Sequence, residues 1–349
     1  MVEDQKYLKR CIELALQGAG YVSPNPMVGS VIVYDNQIIG EGYHMKFGQA
    51  HAEVNAVNDV FAKHENAKEL LRSSTIYVNL EPCSHFGKTP PCADLIISNE
   101  IPRVIVGCRD PFDQINGKGI EKLKNAGIEV IEDILTDECL KLNKRFFTRI
   151  QKQRPYIILK WAQTSDGYFA PNNGSQQWIS SAASKILAHR WRTEEDAILV
   201  GKNTVLADNP RLNSREWPGK DPIRIVIDRR LDLNSDLHIF DQTQETIIFN
   251  EKKTDIDGKI KYLEVEDFDN YLPQLIAYQL YLMDVQSLII EGGAETLNLF
   301  IKTGLWDEAR VFTGPQIWNE GLKAPLITGE PYEELNIDTN ILRIWHNHT

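Results

Sequence analysis

The spacing of apolar positions predicts an alternation of helices and strands along the first half of the chain. Apolar residues recur at helical spacing over residues 4–17, which predicts an amphipathic opening helix. Two strand-like runs, 30–34 and 37–42, flank Asp35-Asn36 and predict a hairpin with a tight turn. Beyond them, the pattern predicts helices over 51–64, 92–99 and 119–126 and strands over 74–80, 103–107 and 129–131. Such an alternation predicts a sheet covered by helices on both faces.

A second set of apolar strands begins after a polar segment. The charged segment 137–150 is predicted to form a helix. The polar run that follows, from Gln151 to Pro155, indicates a domain boundary. The pattern then predicts strands over 156–160, 197–200, 223–228, 246–249, 287–291 and 309–313, with helices over 182–192, 272–283 and 294–302. The 349 residues are therefore predicted to form two α/β domains, residues 1–147 and 153–349.

The composition of the chain limits its partners. Asp and Glu number 49 against 38 Lys and Arg, and the resulting net charge of -11 disfavours a broad electrostatic contact with nucleic acid. No apolar stretch approaches the roughly 20 residues of a membrane span, and the first residues lack the basic start and apolar core of a signal peptide. We therefore expect a soluble cytoplasmic protein with neither nucleic acid nor a membrane as its partner.

Three residues of metal-ligand type and one carboxylate stand out in the first half. His51-Ala52-Glu53 is followed by Cys83 and Cys92. One imidazole and two thiolates suit Zn²⁺ and leave its fourth tetrahedral position open for water, as in catalytic zinc sites. Glu53 is suited to take a proton from that water and to pass it on. Because successive helix residues turn by about 100°, His51 and Glu53 share a site only where a helix is just beginning.

The other cysteines and His85 have more ordinary explanations. Cys11, Cys108 and Cys139 lie in apolar patterns, which favour core packing. His85 competes as a ligand but is better explained as a loop residue or a substrate contact. His-x-Glu followed by Pro-Cys and a later cysteine is the signature of zinc-dependent deaminases.

The segments around these residues resemble one family. Residues 81–92, which read Glu-Pro-Cys-Ser-His-Phe-Gly-Lys-Thr-Pro-Pro-Cys, resemble the bacterial bifunctional deaminase-reductase of riboflavin biosynthesis, as do residues 23–29 and 42–44. The resemblance implies a cytidine-deaminase-like α/β/α sandwich for the first domain. It also implies that Glu53 and Lys88 are catalytic residues.

The same resemblance implies three contacts with the deaminase substrate. Asn25 and His44 are expected at the pyrimidine, and Asp110 at the ribose phosphate. Asn25 stands between two prolines, so a simple turn remains an alternative. The Asp-Pro-Asn-Pro of the family is here Asp-Pro-Phe-Asp over residues 110–113, so no asparagine contact is implied at position 112.

The second half offers one candidate phosphate site. Gly292-Gly293 stands between a predicted strand and a predicted helix, where backbone N–H groups and a helix N-terminus favour an anion. A tight turn explains such a pair equally well. The segment lacks the Gly-x-Gly-x-x-Gly fingerprint, which disfavours a Rossmann domain.

Motifs throughout the second half resemble the reductase of the same family. They are Leu159-Lys160-Trp161-Ala162, Ser165-Asp166-Gly167, Gln177-Trp178-Ile179-Ser180, Gly201, residues 204–210 and Glu291-Gly292-Gly293. The resemblance implies a dihydrofolate-reductase-like fold that binds NADPH. The implied cofactor contacts are Ala162, Trp178, Thr204, Asp208, Gly293, Ala294, Glu295, Thr296, Leu297, Asn298 and Leu299. The implied reductase substrate contacts are Lys160, Gln176, Arg192, Leu212, Arg215 and Glu291.

Several of these positions keep a structural alternative. Trp178 is also explained as a core residue, Arg192 as part of a solvated helix face, and residues 208–210 as a turn. Position 176, commonly serine in the family, is glutamine in this chain. Arg229-Arg230 follows a predicted strand, where the pair either meets a 2′-phosphate or lies on the surface.

The hypothesis is two sequential reactions on one phosphorylated pyrimidine. Zinc-activated water would deaminate 2,5-diamino-6-ribosylamino-4(3H)-pyrimidinone 5′-phosphate, and NADPH would then reduce the ribosyl group of the product to ribityl. The family resemblance also implies a homo-oligomer, a dimer or a tetramer. The alternatives are a nucleic-acid deaminase of the tRNA type with an accessory C-terminal domain, a non-catalytic zinc module, and a chain with one active half.

Overall fold

The computed structural model describes residues 2–84, 90–112, 116–172 and 177–347. The chain divides into two compact units, Met1–Gln153 and Arg154–Thr349. Both units are α/β, as the sequence predicts. The limits 1–147 and 153–349 stay predictions of where the functional domains end. None of the described helices is long and apolar enough to cross a membrane.

The first unit is built on a mixed sheet that has five strands within the described residues. The strand order is β2-β1-β3-β4-β5; β1 is antiparallel to both β2 and β3, and the last three strands are parallel. The strands are β1 Gly29–Tyr34, β2 Gln37–Tyr43, β3 Thr75–Leu80, β4 Arg103–Cys108 and β5 Glu129–Ile131. The helices are α1 Val2–Leu16, α2 Ala52–Lys63, α3 Ala67–Leu71, α4 Cys92–Ser98, α5 Lys118–Asn125, α6 Thr136–Leu142 and α7 Lys144–Lys152.

Helices cover both faces of this sheet because successive strand residues point to opposite sides. Val31 and Val33 of β1 pack with α1, whereas Ile32 between them packs with α2 and α4. The predicted hairpin turn is confirmed, with positive φ angles of 45° at Asp35 and 60° at Asn36.

The sequence predicts one helix over residues 137–150, and this prediction is wrong in one respect. The structure has two helices there, α6 and α7, which are separated at Asn143. The Asn143 side chain is buried and holds the Met27 backbone, accepting from its N–H at 2.8 Å and donating to its carbonyl at 2.9 Å. The sequence pattern also missed the short helix α3.

The second unit is built on a sheet with ten strands among the described residues. Its strand order is β11-β12-β10-β9-β8-β13-β6-β14-β17-β16; the six pairings from β12 to β14 are parallel, and the outer pairings are antiparallel. The strands are β6 Tyr156–Gln163, β7 Tyr168–Ala170, β8 Ala197–Gly201, β9 Ile223–Ile227, β10 Thr246–Asn250, β11 Asp255–Asp257, β12 Ile260–Glu264, β13 Ser287–Gly292, β14 Glu308–Thr313, β15 Leu322–Lys323, β16 Glu333–Ile337 and β17 Asn340–His346. The helices are α8 Ala182–Glu194, α9 Lys202–Asp208, α10 Leu272–Leu282 and α11 Ala294–Thr303, with a 3₁₀ turn at His238–Phe240.

Two apolar layers enclose this second sheet. One layer joins alternate residues of the central strands to α10 and α11, and the other joins the intervening residues to α8 and α9. Every strand and helix predicted for this half is present. The sequence pattern missed α9, the small pair β7–β15 and the outer strands β11, β12, β16 and β17.

Two candidate active sites

The candidate metal ligands of the first unit meet at one point. The Nδ1 atom of His51 lies 3.7 Å from the Cys83 sulfur and 3.3 Å from the Cys92 sulfur, and the three ligand atoms all lie within 4.8 Å of one another. Tetrahedral zinc with bonds of about 2.3 Å to sulfur and about 2.1 Å to nitrogen separates such atoms by about 3.6 Å. The spacing therefore fits a zinc ion held by His51, Cys83 and Cys92.

The local fold explains why these three residues converge. His51 is extended (φ −73°, ψ 166°) and immediately precedes α2, so His51 and Glu53 face one site, as the sequence analysis required. Cys83 follows β3, and Cys92 is the first residue of α4, where its backbone N–H donates to the Cys83 sulfur at 3.3 Å.

Hydrogen bonding separates the pKa values of the two thiols. The Cys92 thiol and the His51 imidazole bond to the Cys83 sulfur and lower the pKa of Cys83 to about 4. The same contact with Cys83 raises the pKa of Cys92. A dication bound between the two thiols would favour the ionised form of both.

Glu53 has an oxygen with no hydrogen-bond partner among the described residues. The side chain is buried, and its Oε2 atom makes no hydrogen bond there. Burial, reinforced by the charge on Cys83, raises the pKa of Glu53. Buried polar atoms are usually paired, so this oxygen indicates a missing partner such as a metal-bound water. His85, the competing ligand, and Lys88 lie outside the described residues.

The sequence analysis overlooked Glu81, which braces the loop that carries Cys83. The Glu81 carboxylate accepts hydrogen bonds from the backbone N–H groups of four residues, Asp110, Gly117, Gly119 and Ile120, at 2.9–3.3 Å. These bonds tie the metal loop to the start of α5. Glu81 is buried and also lines the cavity beside the cluster.

A cavity of about 420 Å³ opens beside the cluster and contains the predicted substrate residues. Asn25, His44 and Asp110 all line it. The Asn25 amide nitrogen lies 3.1 Å from Nε2 of His44, and Nδ1 of His44 lies 3.0 Å from the Ala50 carbonyl oxygen. The second contact fixes a proton on Nδ1, so Nε2 accepts from Asn25. Burial raises the pKa of Asp110 to about 6.

One wall of this cavity comes from a helix to which the sequence analysis assigned no site residue. Phe146, Arg149 and Ile150 of α7 line the cavity together. They stand at spacings of three and four, which places them on one face of the helix. In the sequence, that spacing resembled an ordinary amphipathic helix.

A cavity of about 600 Å³ in the second unit gathers most of the predicted cofactor residues. Those that line it are Ala162, Trp178, Thr204, Asp208, Gly293, Ala294, Glu295 and Thr296. Trp178 is 63% exposed, so the alternative that it is a core residue is wrong. The next residues of α11 do not line the cavity; they are Leu297, which is fully buried, Asn298 and Leu299. Their contacts with the cofactor therefore stay predictions.

Glycines keep this cavity open where strands and helices meet. A Cβ atom at Gly292 would lie 2.9 Å from the Thr204 hydroxyl, and one at Gly201 would lie 2.5 Å from the Thr296 hydroxyl. Gly293 precedes α11 with a φ of 69°, a conformation that glycine adopts most readily. The backbone N–H groups of the first turn of α11 therefore stand at a cavity that fits an anionic nucleotide.

Charged residues of opposite sign meet at one end of this cavity. Glu291 accepts from Nε of Arg192 at 2.8 Å and from a terminal nitrogen of Arg192 at 2.7 Å, while the Lys160 ammonium lies 3.4 Å away. Burial alone would raise the pKa of Glu291, but Arg192 and Lys160 outweigh burial and hold that pKa well below its usual range. The Arg192 side chain is 13% exposed, so its alternative as a solvated residue is wrong.

The other predicted reductase substrate residues lie near Arg192. A terminal nitrogen of Arg192 donates to the Asn213 carbonyl, and the exposed Arg215 donates to the Asn213 side chain. Leu212 is buried with a φ of 55°. Of the described residues, Lys160 and Glu291 line the cavity, whereas Arg192, Leu212 and Arg215 do not. Gln176 lies outside the described residues.

Sequence reasoning left three basic or titratable residues of the second unit without a firm role. Lys202 and Arg229 line the cavity, although Lys202 pairs with Asp232 and Arg229 with two other carboxylates. His189 lies one turn before Arg192 on α8, is buried, and has no hydrogen-bond partner for Nδ1 within the described chain. Burial and two nearby arginines lower its pKa to about 4.

Comparisons with known protein families agree with this division of the chain. Residues 155–344 match the family model of the RibD C-terminal domain. Residues 1–108 match the cytidine and deoxycytidylate deaminase zinc-binding region. The cytidine-deaminase-like and reductase folds expected for the two halves are thereby confirmed.

Similar proteins span nearly the whole chain. The riboflavin biosynthesis protein RibD of Aquifex aeolicus is 42% identical over 323 residues, which cover 91% of this chain and 89% of that protein. The riboflavin biosynthesis protein RibD of Escherichia coli is 34% identical over 333 residues, which cover 90% of this chain and 89% of that protein. The crystal structure of a diaminohydroxyphosphoribosylaminopyrimidine deaminase/5-amino-6-(5-phosphoribosylamino)uracil reductase from Thermotoga maritima has a TM-score of 0.90 and 35% identity and covers 99% of both chains. A structure of Acinetobacter baumannii RibD has a TM-score of 0.89 and 31% identity, covering 100% of this chain and 99% of that one. The chain therefore belongs to the RibD family of riboflavin biosynthesis and is a bifunctional enzyme, a deaminase joined to a reductase.

Proposed function

We propose that the two cavities catalyse two successive reactions on one phosphorylated pyrimidine. The first unit deaminates a diaminopyrimidine ribotide, 2,5-diamino-6-ribosylamino-4(3H)-pyrimidinone 5′-phosphate. The second unit reduces the ribosyl group of the resulting 5-amino-6-(5-phosphoribosylamino)uracil to ribityl. The observation that carries this proposal is a buried Glu53 oxygen, without a hydrogen-bond partner among the described residues, beside the convergent His51, Cys83 and Cys92.

In the first cavity, His51, Cys83 and Cys92 would hold one zinc ion. Zinc, when bound, lowers the pKa of a water so that hydrolysis proceeds at neutral pH. Glu53 would take a proton from the attacking water through Oε2, which has no partner among the described residues, and would deliver that proton to the departing amine.

Polar residues of the first cavity would orient the pyrimidine. Asn25 and His44 are joined by a hydrogen bond on the cavity wall, so their positions are set before substrate arrives. Asp110 lines the same cavity and, by resemblance, would contact the ribose phosphate through its ribose, and resemblance alone assigns Lys88 to the reaction centre. The described cluster offers three ligands, which favours a catalytic site over a purely structural one.

In the second cavity, the start of α11 and the facing residues would hold NADPH. Bound NADPH supplies the hydride that reduces the ribose carbon. Gly293 to Thr296 provide the backbone for the phosphates, and Thr204 and Asp208 lie on α9 across the cavity. Lys202 and Arg229 line the cavity and would exchange a carboxylate partner for the 2′-phosphate that distinguishes NADPH from NADH.

The charged group at the end of this cavity would bind the substrate. Lys160 would donate to the ribose hydroxyls; its place on the cavity wall and its contact with Glu291 support this role. Arg215 is exposed and would bind the substrate phosphate, and Arg192 would join it by giving up a bond to Glu291 or to the Asn213 carbonyl. We also propose that the protein acts in the cytoplasm as a homo-oligomer, a dimer or a tetramer.

Purified zinc-loaded protein and the diaminopyrimidine ribotide test this proposal. Ammonia release is followed without a reduced nucleotide, and NADPH oxidation is followed after its addition. We expect one ammonia to be released and one NADPH to be oxidised per substrate molecule. NADPH oxidation should begin after a lag, and NADH should be oxidised more slowly than NADPH. A protein that releases no ammonia would contradict the deaminase half, and NADPH oxidation without prior deamination would contradict the sequence of reactions.

A further inference from the structure

Helix α7 adds to the deaminase cavity a wall that carries one cationic side chain. It lies in the first compact unit but beyond residues 1–108, which match the general deaminase zinc-binding region. Phe146, Arg149 and Ile150 project from one face of α7 into the cavity lining. The general deaminase region therefore supplies the metal cluster, and a later helix completes the space beside it.

The helix is fastened to the loop that carries the predicted pyrimidine contact. Asn143, just before α7, bonds to both backbone polar groups of Met27, and the Asn79 side chain donates to the same Met27 carbonyl. Phe146 and Phe147 are buried against Leu80 and neighbouring residues. Two polar anchors and an apolar contact hold α7 at a fixed distance from Asn25, as substrate positioning requires.

The charges on the cavity wall are unevenly distributed. Among the described residues that line it, Glu53, Glu81 and Asp110 are acidic, and Arg149 is the one with a permanent positive charge. A phosphate dianion would be repelled by the three carboxyl groups unless a cation received it. A guanidinium on a fixed helix can offer two parallel hydrogen bonds to phosphate oxygens.

We propose that Arg149 binds the 5′-phosphate of the deaminase substrate and so makes the first site selective for the ribotide over the unphosphorylated riboside. This inference rests on the proposed deamination and names the residue that recognises the phosphate there. Arg149 contributes binding and specificity, while Glu53 and the metal ligands perform the chemistry. Discrimination therefore depends on α7, outside the part of the chain that matches the general deaminase region.

The test compares two substrates in two enzymes. Deamination of the ribotide and of the dephosphorylated riboside is measured for wild type and Arg149→Met, with zinc content and circular dichroism recorded for each. A lost charge-assisted contact lowers kcat/KM for the ribotide by about 10- to 100-fold and leaves the riboside value nearly unchanged. Arg149→Lys keeps the charge and should recover part of the ribotide rate.

Lys152→Ala serves as the matched control, because it removes one positive charge from an exposed position of the same helix. It should leave the ratio of ribotide to riboside activity unchanged. Equal losses for both substrates in Arg149→Met, or an unchanged ratio, would refute the phosphate contact while leaving deamination established. Wild-type enzyme that releases no ammonia from the ribotide would refute the proposed deamination itself, and the phosphate contact with it.

Discussion

Replacing Glu291 by glutamine should destabilise the second unit more than a comparable substitution at the surface. Glu291 closes β13 and has a side chain that is 7% exposed, with Arg192 and Lys160 as its partners. Glutamine preserves the size of the side chain and one acceptor oxygen but removes the charge. Arg192 would then keep its own charge in a buried site with half of its fork unmatched.

The structure sets the size of the expected effect. Removing one partner of a buried ion pair costs about 3–5 kcal/mol, and the remaining acceptor of glutamine places this case at about 3 kcal/mol. Glu334→Gln is the matched control, because Glu334 accepts from Arg343 at 2.7 Å but is 52% exposed. Exposed pairs contribute about 0–1 kcal/mol, so this control should barely change the free energy of unfolding.

Tryptophan fluorescence gives an assay that is specific for the second unit. All seven tryptophans lie between residues 161 and 345, so the first unit contains none. Urea denaturation of wild type, Glu291→Gln and Glu334→Gln, monitored by this fluorescence, yields the free energy of unfolding of the second unit. Equal values for the two variants would refute the conclusion that Glu291 holds a buried charge network.

The pH dependence gives a second check on the same carboxylate. The pKa of Glu291 is depressed in the folded state, so its contribution to stability is present above the ordinary glutamate pKa of about 4.3 and is lost as pH falls toward the folded value. The stability gap between wild type and Glu291→Gln should therefore persist at pH 5. It should narrow below about pH 4.

Three further predictions concern the zinc cluster, the buried histidine and the anchor of α7. Cys83→Ser should lose bound zinc as measured by atomic emission, whereas Cys108→Ser should keep it. The pKa of His189 is lowered to about 4, so between about pH 6.5 and pH 4 this residue binds a proton in the unfolded chain but not in the folded one. Its contribution therefore lowers the free energy of unfolding as pH falls. His189→Gln should weaken this pH dependence in tryptophan-monitored denaturation at pH 7 and pH 5. Asn143→Ala removes the acceptor of the Met27 N–H and one of the two donors to the Met27 carbonyl, which keeps its bond from Asn79, and should cost about 1–3 kcal/mol, seen as an earlier urea transition by circular dichroism.

The central elements of both units were predictable because burial imposes a strict pattern on them. Strands such as β8, with all five residues buried, are continuous apolar runs, and α1 buries Leu8, Cys11 and Ala15 at helical spacing. The outer strands were missed for the opposite reason. In β16 four of the five residues are exposed, so pairing with β17 defines the strand and no apolar alternation marks it.

The metal cluster was predictable from the sequence, whereas the walls of both cavities were only partly so. His51, Cys83 and Cys92 have side chains that few structural roles require in that order. Arg149 and Lys202 occur in helices where a basic residue is ordinary, and only the fold shows that each lines a cavity. The break at Asn143 was hidden because a buried asparagine and a solvated one are identical in sequence.

The most direct test of the two-site account supplies Glu53→Gln enzyme with each substrate in turn. With the diaminopyrimidine ribotide, the variant should release no ammonia and oxidise no NADPH. With the deaminated ribotide, it should oxidise NADPH at the wild-type rate, because the second cavity is formed entirely by residues of the second unit. NADPH oxidation on the undeaminated ribotide, or none on the deaminated one by a folded variant, would contradict the account.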